Sequence, residues 1–452
     1  MSEGSLEAPV RHPIDWRNPE FFDEAKLDEE LRRVFDICHG CRRCFNLCDS
    51  FPRLFDLIDE SESGELDTVD SKDFKPVVDA CTLCDMCFMV KCPYVPPHEF
   101  NLDFPHLMLR YRAVEHAKKG SGFAEKQLTD TDRNGKLATG ALSGIANWAT
   151  RRGNAVTRPM MEKIADVHRD AVLPPYTGKT LVARAKANPP VVNESAPAAG
   201  KRKAVVYATC YGNYNTPEVG EALLGVLAKN GIAAEVVYPE CCGMPQMEQG
   251  AVQDVAEKAK RVAAFMEKYV DDGYEVIALV PSCALMLKFE WPLVVPDDDK
   301  IRKLSAATRD ASEYIVALAK SEGLAEGLKP LDGPVAIHIA CHARAQNMGQ
   351  KASEMMRLIP EIDLTVVERC SGHGGSWGVM KENFEVGMKV GRPVFRQAKA
   401  NGKAKYVASE CPLAGLHIAQ GMEASAKDEA EKAALPETSP HPITIFAKAY
   451  GL

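Results

Sequence analysis

The cysteines near the N-terminus have a spacing that suits an inorganic cluster. Two runs share three cysteines at two-residue gaps and a fourth slightly further on: Cys38, Cys41, Cys44 and Cys48 in the first, and Cys81, Cys84, Cys87 and Cys92 in the second. A cubane cluster has four irons, and each iron takes one thiolate. A short C-x-x-C-x-x-C loop wraps three corners of such a cube, so each run predicts most of one [4Fe–4S] site.

The fourth thiolate of each site is expected from the other run. In two-cluster ferredoxins the last cysteine of each run binds the other cluster. The prediction is therefore two [4Fe–4S] clusters with exchanged fourth ligands: Cys38, Cys41, Cys44 and Cys92 for one, and Cys81, Cys84, Cys87 and Cys48 for the other. The sequence departs from the usual pattern because four residues separate Cys87 from Cys92 and no proline directly follows Cys48.

Zinc and disulfides are the alternatives for these cysteines. Structural zinc usually takes its four ligands as two separated pairs, which leaves the third cysteine of each run unused. Disulfides need an oxidising compartment and defined pairings. The chain has 15 cysteines, and residues 1–13 contain no export-like apolar stretch. The sequence therefore favours metal sites in a reducing cytoplasm.

The overall composition limits the class of protein. The chain has 452 residues, of which 46% are hydrophobic and 26% charged, and its net charge is −8. These values predict a soluble globular protein of roughly two to four domains and give no reason to expect nucleic-acid binding. We find no apolar run of about 18 residues that would span a membrane. We expect a cytoplasmic protein, with peripheral attachment to the inner face of the membrane as an alternative.

The predicted front half has two parts, a helical two-cluster domain over residues 1–115 and a basic connector over residues 116–203. The connector contains 16 Lys or Arg against 7 Asp or Glu. This excess fits either a solvated helical linker or a docking face for an acidic partner or a membrane surface. A helical hairpin near Trp148 is expected to pack on the cluster domain, and residues 187–203 are expected to form a tether.

The second half contains an internal repeat. Short apolar strands alternate with helical stretches, and each strand ends at a cysteine, so that the repeats align Cys210 with Cys341, Cys241 and Cys242 with Cys370, and Cys283 with Cys411. The offsets are 131, 129 and 128 residues. Strand–helix–strand alternation predicts parallel sheets, whose ligands lie beyond the carboxyl ends of the strands. The predicted fold class is thus α+β in front, followed by two tandem pseudo-symmetric α/β domains over residues 204–330 and 331–452.

This pattern resembles a tandem pair of CCG cysteine-rich domains, as in the B subunit of heterodisulfide reductase. With the ferredoxin-like front half, the order of domains is similar to the C subunit of anaerobic glycerol-3-phosphate dehydrogenase and to iron–sulfur subunits of glycolate and lactate oxidases. The resemblance covers roughly residues 30–450. It implies electron transfer between a flavin dehydrogenase partner and a quinone, or reduction of a disulfide or a peroxide-linked acceptor at an unusual cluster.

Both repeats depart from the complete five-cysteine pattern of that family. In the first, Met286 replaces the last cysteine, which leaves Cys210, Cys241, Cys242 and Cys283, enough for a third [4Fe–4S] cluster. In the second, Ser371 and Ala414 replace two cysteines, which leaves Cys341, Cys370 and Cys411. Three thiolates do not saturate a cubane. A nitrogen of His342 or His373, a labile iron, a zinc ion, or no metal at all are the open alternatives there.

The loop from Cys370 to Gly378 is glycine-rich, so its amide N–H groups can approach cluster sulfurs or an anionic substrate. His373 in this loop is a candidate proton donor, or a histidine bonded within its own loop. Arg344 is a candidate positive charge beside the site, or half of a surface ion pair.

The missing cysteines favour an electron-transfer subunit over a reductase acting alone. We find no flavin or nicotinamide motif, so the electron source is expected to be a separate flavoprotein or another redox partner. The acceptor is expected to be a quinone or a further partner. The alternative is a heterodisulfide-reductase-like enzyme that reduces its acceptor at a CCG-domain cluster.

Overall fold

A computed structural model describes residues 4–5, 7–400, 404–436 and 438–452. The front half is helical: α1 (Glu24–Cys41), α2 (Ser50–Asp59), α3 (Lys75–Asp79) and α4 (Phe104–Lys119). The side chain of Asp23 caps α1, and Leu27, Leu31 and Val34 recur on its buried face. Helix α1 continues through Cys38 to Cys41, so the first two cysteines lie on a helix rather than in the loop expected for a C-x-x-C-x-x-C run.

The basic connector is folded against the rest of the chain. It contains α5 (Phe123–Thr129), α6 (Thr131–Ala138), α7 (Ser143–Thr150), α8 (Thr157–Ile164) and α9 (Leu181–Ala187). The expected packing of Trp148 on the cluster domain is wrong, because its side chain is 54% exposed. The expected tether is also packed, since Ala198 is buried and Asn193 donates its backbone N–H to the carbonyl of Ala228.

The first repeat is built on a four-stranded parallel sheet in the order β2-β1-β3-β4. Its strands are β1 (Ala204–Tyr207), β2 (Ala234–Val237), β3 (Glu275–Ala278) and β4 (Thr308–Asp310). Its helices are α10 (Cys210–Tyr214), α11 (Pro217–Lys229), α12 (Met244–Glu248), α13 (Val252–Asp271), α14 (Pro281–Leu285), α15 (Trp291–Val294), α16 (Asp299–Ala307) and α17 (Ala311–Ser321). All residues of the central strand β1 are buried, as expected when helices cover both faces of a sheet.

The second repeat has the same order in three parallel strands, β6-β5-β7. The strands are β5 (Val335–His338), β6 (Leu364–Val367) and β7 (Tyr406–Ser409). The helices are α18 (Cys341–Ala345), α19 (Lys351–Met356), α20 (Phe384–Ala400), α21 (Pro412–Ala424), α22 (Glu429–Ala434) and α23 (Pro442–Ala449). The parallel sheets predicted for both repeats are confirmed, whereas the short strand β4 was not predicted.

The N-terminal segment fastens the front half to the first repeat. Ile14 donates its backbone N–H to the carbonyl of Leu293, and the indole N–H of Trp16 donates to the carbonyl of Val294. One continuous apolar cluster runs from α1 to residues of both sheets, while a separate cluster around Phe395 also packs on the second sheet. The cysteine loops of the three parts are therefore held in one packed body.

Among the described residues, no helix combines the length and the apolar character needed to cross a bilayer.

Candidate metal centres

Four cysteines from the two front runs line one small cavity: Cys38, Cys41, Cys44 and Cys92. Its other walls are largely apolar and include Phe51 and Phe55. Burial raises the pKa of Cys38, and the charges on Cys92, Cys44 and Cys41 raise it further. Neighbouring thiolates repel one another in apolar surroundings, so these four thiols lose their protons together only when cations bind them. The set therefore fits an iron–sulfur cluster.

The remaining front cysteines form a second group: Cys48, Cys81, Cys84 and Cys87. Burial raises the pKa of Cys48, and the charges on Cys84 and Cys81 raise it further. The pKa of Cys87 is raised by burial and then by Cys84, Cys81 and Cys48. The structure thus brings Cys48 to the second run and Cys92 to the first, and this second set also fits a cluster.

Unusual backbone marks the cysteine loops. Non-glycine residues with positive φ cost free energy and collect at functional sites. Four such residues lie within or directly before the cysteine motifs: Arg42 (φ 52°), Leu83 (φ 46°), Asp85 (φ 61°) and Thr209 (φ 61°). The two π-helical turns are also here, at Cys87–Lys91 and Met286–Glu290. The sequence gives no signal for this strain, which the surrounding packing imposes.

The first repeat gathers its four cysteines at the carboxyl ends of β1, β2 and β3. The Sγ atoms of Cys210 and Cys241 are 3.7 Å apart, and those of Cys242 and Cys283 are 3.3 Å apart. Cys241, Cys242 and Cys283 are buried. The indole N–H of Trp291 donates to the carbonyl of Cys242 at 3.0 Å and fixes the paired-cysteine loop. Four thiols at one sheet edge fit the predicted third cluster.

Asp132 of α6 anchors this loop from the connector. Its carboxylate accepts the backbone N–H of Cys241 at 3.2 Å and pairs with Lys258 at 2.9 Å. Sequence reasoning missed Asp132, because an acidic residue in a polar helix has no spacing signature and its partner lies 109 residues away.

The second repeat places its three cysteines at the equivalent strand ends. Burial raises the pKa of Cys341, with further contributions from the charges on Cys84, Cys370 and Cys411. The backbone N–H of Gly372 donates to Sγ of Cys370 at 3.4 Å. Burial of the sulfur raises the pKa of this thiol, while that hydrogen bond and the positive charge of Arg344 oppose the shift. Arg344 also pairs with Glu368 at 3.5 Å, so both expectations for this arginine hold.

The two candidate histidines of this repeat differ in their surroundings. Nε2 of His342 lies 3.3 Å from the carbonyl of Leu83, and Nδ1 lies 2.7 Å from the hydroxyl of Ser282. A carbonyl only accepts, so Nε2 carries the proton and Nδ1 accepts from the serine. Both nitrogens of His342 are therefore occupied, which removes it as a metal ligand.

His373 is buried, and neither ring nitrogen has a hydrogen-bond partner among the described residues. Burial, and next the charge on His417, lowers the pKa of His373 to about 3. The imidazole is then neutral at pH 7, and its role as a proton donor stays a prediction. A neutral imidazole is the form that binds metals, so His373 stays a candidate fourth ligand.

His342 joins three cysteine loops at one point. It follows Cys341, while its partners Leu83 and Ser282 directly precede Cys84 and Cys283. The electrostatics also indicate that the front half and the second repeat are close together. Burial, and next the charge on Cys370, raises the pKa of Cys84 to about 12. The second repeat thus contacts both the front half and the first repeat at His342.

Buried apolar side chains occupy two of the positions where the complete family pattern has a cysteine. Met286 is fully buried in the core, and Ala414 is buried as well. Within the described chain, no three His, Cys, Asp or Glu side chains converge as ligands of a single ion. A cluster holds its thiolates on separate irons, so its ligands need not converge in this way.

Known proteins share the pattern of the second half. The family model described as a cysteine-rich domain (CCG) matches residues 204–288 and 335–419. The C subunit of anaerobic glycerol-3-phosphate dehydrogenase from Escherichia coli K12 is 30% identical over 254 residues, which are 55% of this chain and 59% of that protein. The alignment therefore spans under two thirds of that relative.

Two further relatives align over shorter stretches. Lactate utilization protein A of Bacillus cytotoxicus is 30% identical over 189 residues, 39% of this chain and 74% of that protein. The B subunit of fumarate reductase (CoM/CoB) from Methanothermobacter marburgensis is 25% identical over 234 residues, 48% of this chain and 42% of that protein. With two matched domains and the cysteines of both at the strand ends, the chain belongs to the family of proteins with CCG cysteine-rich domains.

Proposed function

We propose that this chain is an iron–sulfur electron-transfer subunit, which relays electrons between a flavin-dependent dehydrogenase and a quinone or other acceptor. The observation that carries this proposal is the junction at His342, where one side chain contacts the loops of three separate cysteine sets. Loops that meet at one side chain would hold their redox sites close to one another. The similarity to proteins named as subunits of a dehydrogenase and of a reductase supports such a role.

The cysteines would hold two [4Fe–4S] clusters in the front half and a third in the first repeat. Such clusters exchange electrons at potentials that depend on hydrogen bonds to sulfur and on burial. The chain supplies both influences: Cys81, Cys87, Cys241, Cys242 and Cys283 are buried, and the backbone N–H of Gly372 donates to Sγ of Cys370. The metal of the second repeat, iron or zinc, would bind Cys341, Cys370 and Cys411, with His373 as candidate fourth ligand.

The alternative, a reductase that acts on a disulfide by itself, has less support. It would need the complete cysteine set at a repeat, and Met286 fills that position with a fully buried apolar side chain. The absence of a flavin or nicotinamide motif in the sequence also favours an electron source on another polypeptide.

The connector supports a docking role at a membrane surface. The exposed apolar side chains of its helices α7 and α8 and their flanks form a connector face: Leu142, Ile145, Trp148, Val156, Met160 and Ile164. Helix α7 has no buried residue. The exposed charged side chains from residue 136 to 164 are Lys136, Arg151, Arg152 and Lys163, and of these Arg152 pairs with Glu423. Apolar and basic side chains together fit an anionic lipid surface, on which this protein would meet a quinone.

The test of the relay is whether the chain needs a flavoprotein. We expect anaerobically purified protein to reduce a dye or a quinone only when a flavin-dependent dehydrogenase and its substrate are supplied. Turnover of the chain alone on a 2-hydroxy acid or on glycerol phosphate would contradict the proposal.

A further inference from the structure

A cleft of about 280 Å³ lies where the front half meets both repeats. Helices α3 and α4, the end of α12 and the loop after Gly374 form its walls. Cys81 and Thr82 of the second front cysteine set also line it, together with Tyr111, Glu248 and Trp377. Clefts between domains are common ligand sites, and this one reaches a cysteine of a proposed cluster.

The charges of the cleft argue against an anionic ligand. Lys75 pairs with Asp79 and Lys119 pairs with Glu115, both at 2.9 Å. Arg112 donates to the carbonyls of Val78, Cys81 and Glu248, so its guanidinium is already engaged. Further carboxylates, Glu125 and Glu382, also line the cleft. A phosphate ester or a carboxylate would find no uncommitted Lys or Arg here.

The interior offers polar groups to an uncharged ring. The indole Nε1 of Trp377 is buried and has no hydrogen-bond partner among the described residues. A buried donor without an acceptor is costly, which points to a ligand oxygen or a water. Burial raises the pKa of Glu248 to about 7, while Arg112 and hydrogen bonds from Ser376 oppose the shift. Glu248 can therefore hold or release a proton near neutral pH.

We infer that this cleft binds the ring of a quinone, with Trp377 as hydrogen-bond donor and Glu248 as proton donor. The inference rests on the proposed function, because the acceptor must be reduced here. Reduction of a quinone to its quinol takes two electrons and two protons. The two electrons come from the reduced flavin of the partner, which is oxidised. One proton comes from Glu248 and the other from solvent, and solvent reprotonates the glutamate.

Binding is tested by calorimetric titration of the full chain with 2-methyl-1,4-naphthoquinone under anaerobic conditions. We expect saturable binding at one site and about fivefold weaker binding for Trp377→Phe, which keeps the ring and loses one N–H donor. The control is Phe265→Leu at an exposed aromatic side chain of α13 that does not line the cleft, and this variant should bind like the unchanged protein. No saturable binding, or equal affinity of the two variants, would overturn the inference.

Proton donation is tested by Glu248→Gln, with Glu257→Gln on the exposed face of α13 as control. We expect Glu248→Gln to lower the rate of quinone reduction about a hundredfold, while the dissociation constant changes less than about twofold. An unchanged rate would overturn the role of Glu248. If the flavoprotein reduces no acceptor through the chain, the relay proposal fails, but the titrations of the Trp377 and Phe265 variants still decide whether the cleft binds quinone.

Discussion

Single residues far from the cysteines in sequence hold the cysteine loops in place. Arg11 is the main example, because its buried guanidinium pairs with Asp85, Asp103 and Glu290 at 2.7–3.0 Å. Asp85 lies between Cys84 and Cys87, and Glu290 ends the turn that follows Cys283. Arg11 therefore links a front cysteine loop to the first repeat through charge.

Removing this arginine should destabilise the fold strongly. Arg11→Met leaves three carboxylates near one another without their cation, so we expect a loss of about 3–5 kcal/mol in the free energy of unfolding. The control is Arg17→Met, whose pair with Asp297 is exposed and should contribute less than about 1 kcal/mol. Anaerobic urea denaturation followed by circular dichroism measures both. Similar losses for the two variants would refute this role of Arg11.

The cysteines themselves could be predicted from sequence, because cluster binding imposes a short, local spacing. The partners of those cysteines could not be predicted. Asp132 and His342 reach the sites across 109 and 259 residues, and neither belongs to a local pattern. His373 was recognised as a candidate, but its chemical role depends on burial, which only the fold shows.

The helices and strands followed sequence patterns where those patterns were strong. The strands of both repeats end a few residues before the cysteines and alternate with helices, as the internal repeat predicted. The predictions were wrong where tertiary contacts determine the local structure. In α1, for example, the helix continues through Cys41 instead of leaving Cys38 and Cys41 in a loop. They were also wrong in the connector, whose alanine and glycine content gave no indication of which face is exposed.

The connector face gives the prediction at the scale of elements. We expect the protein to sediment with vesicles that contain phosphatidylglycerol and much less with phosphatidylcholine vesicles. The reason is that the exposed charged side chains beside the connector face are basic. The change Trp148→Asp places a negative charge among the exposed apolar residues. It should lower the bound fraction at least about threefold, and added salt should lower it further.

The control for this surface is Phe265→Asp, at an exposed phenylalanine of α13 outside the connector. This variant should bind vesicles like the unchanged protein. The connector face is not a lipid-binding surface if Trp148→Asp sediments with the vesicles as the unchanged protein does. The same conclusion follows if the unchanged protein does not bind anionic vesicles and binds only a purified flavoprotein.

Across the whole molecule, the two repeats have diverged from a common plan. Both keep the strand order and the cysteines at the strand ends. The second repeat has lost one more thiol, yet it contacts both the front half and the first repeat through His342.

The most direct test of the account is the content of iron, acid-labile sulfide and zinc per chain in anaerobically purified protein, together with its EPR spectrum. The account predicts about twelve irons and twelve sulfides, since three cubane clusters each hold four of both. About eight of each would restrict the clusters to the front half. Colourless protein with zinc in the two front sets would contradict the account.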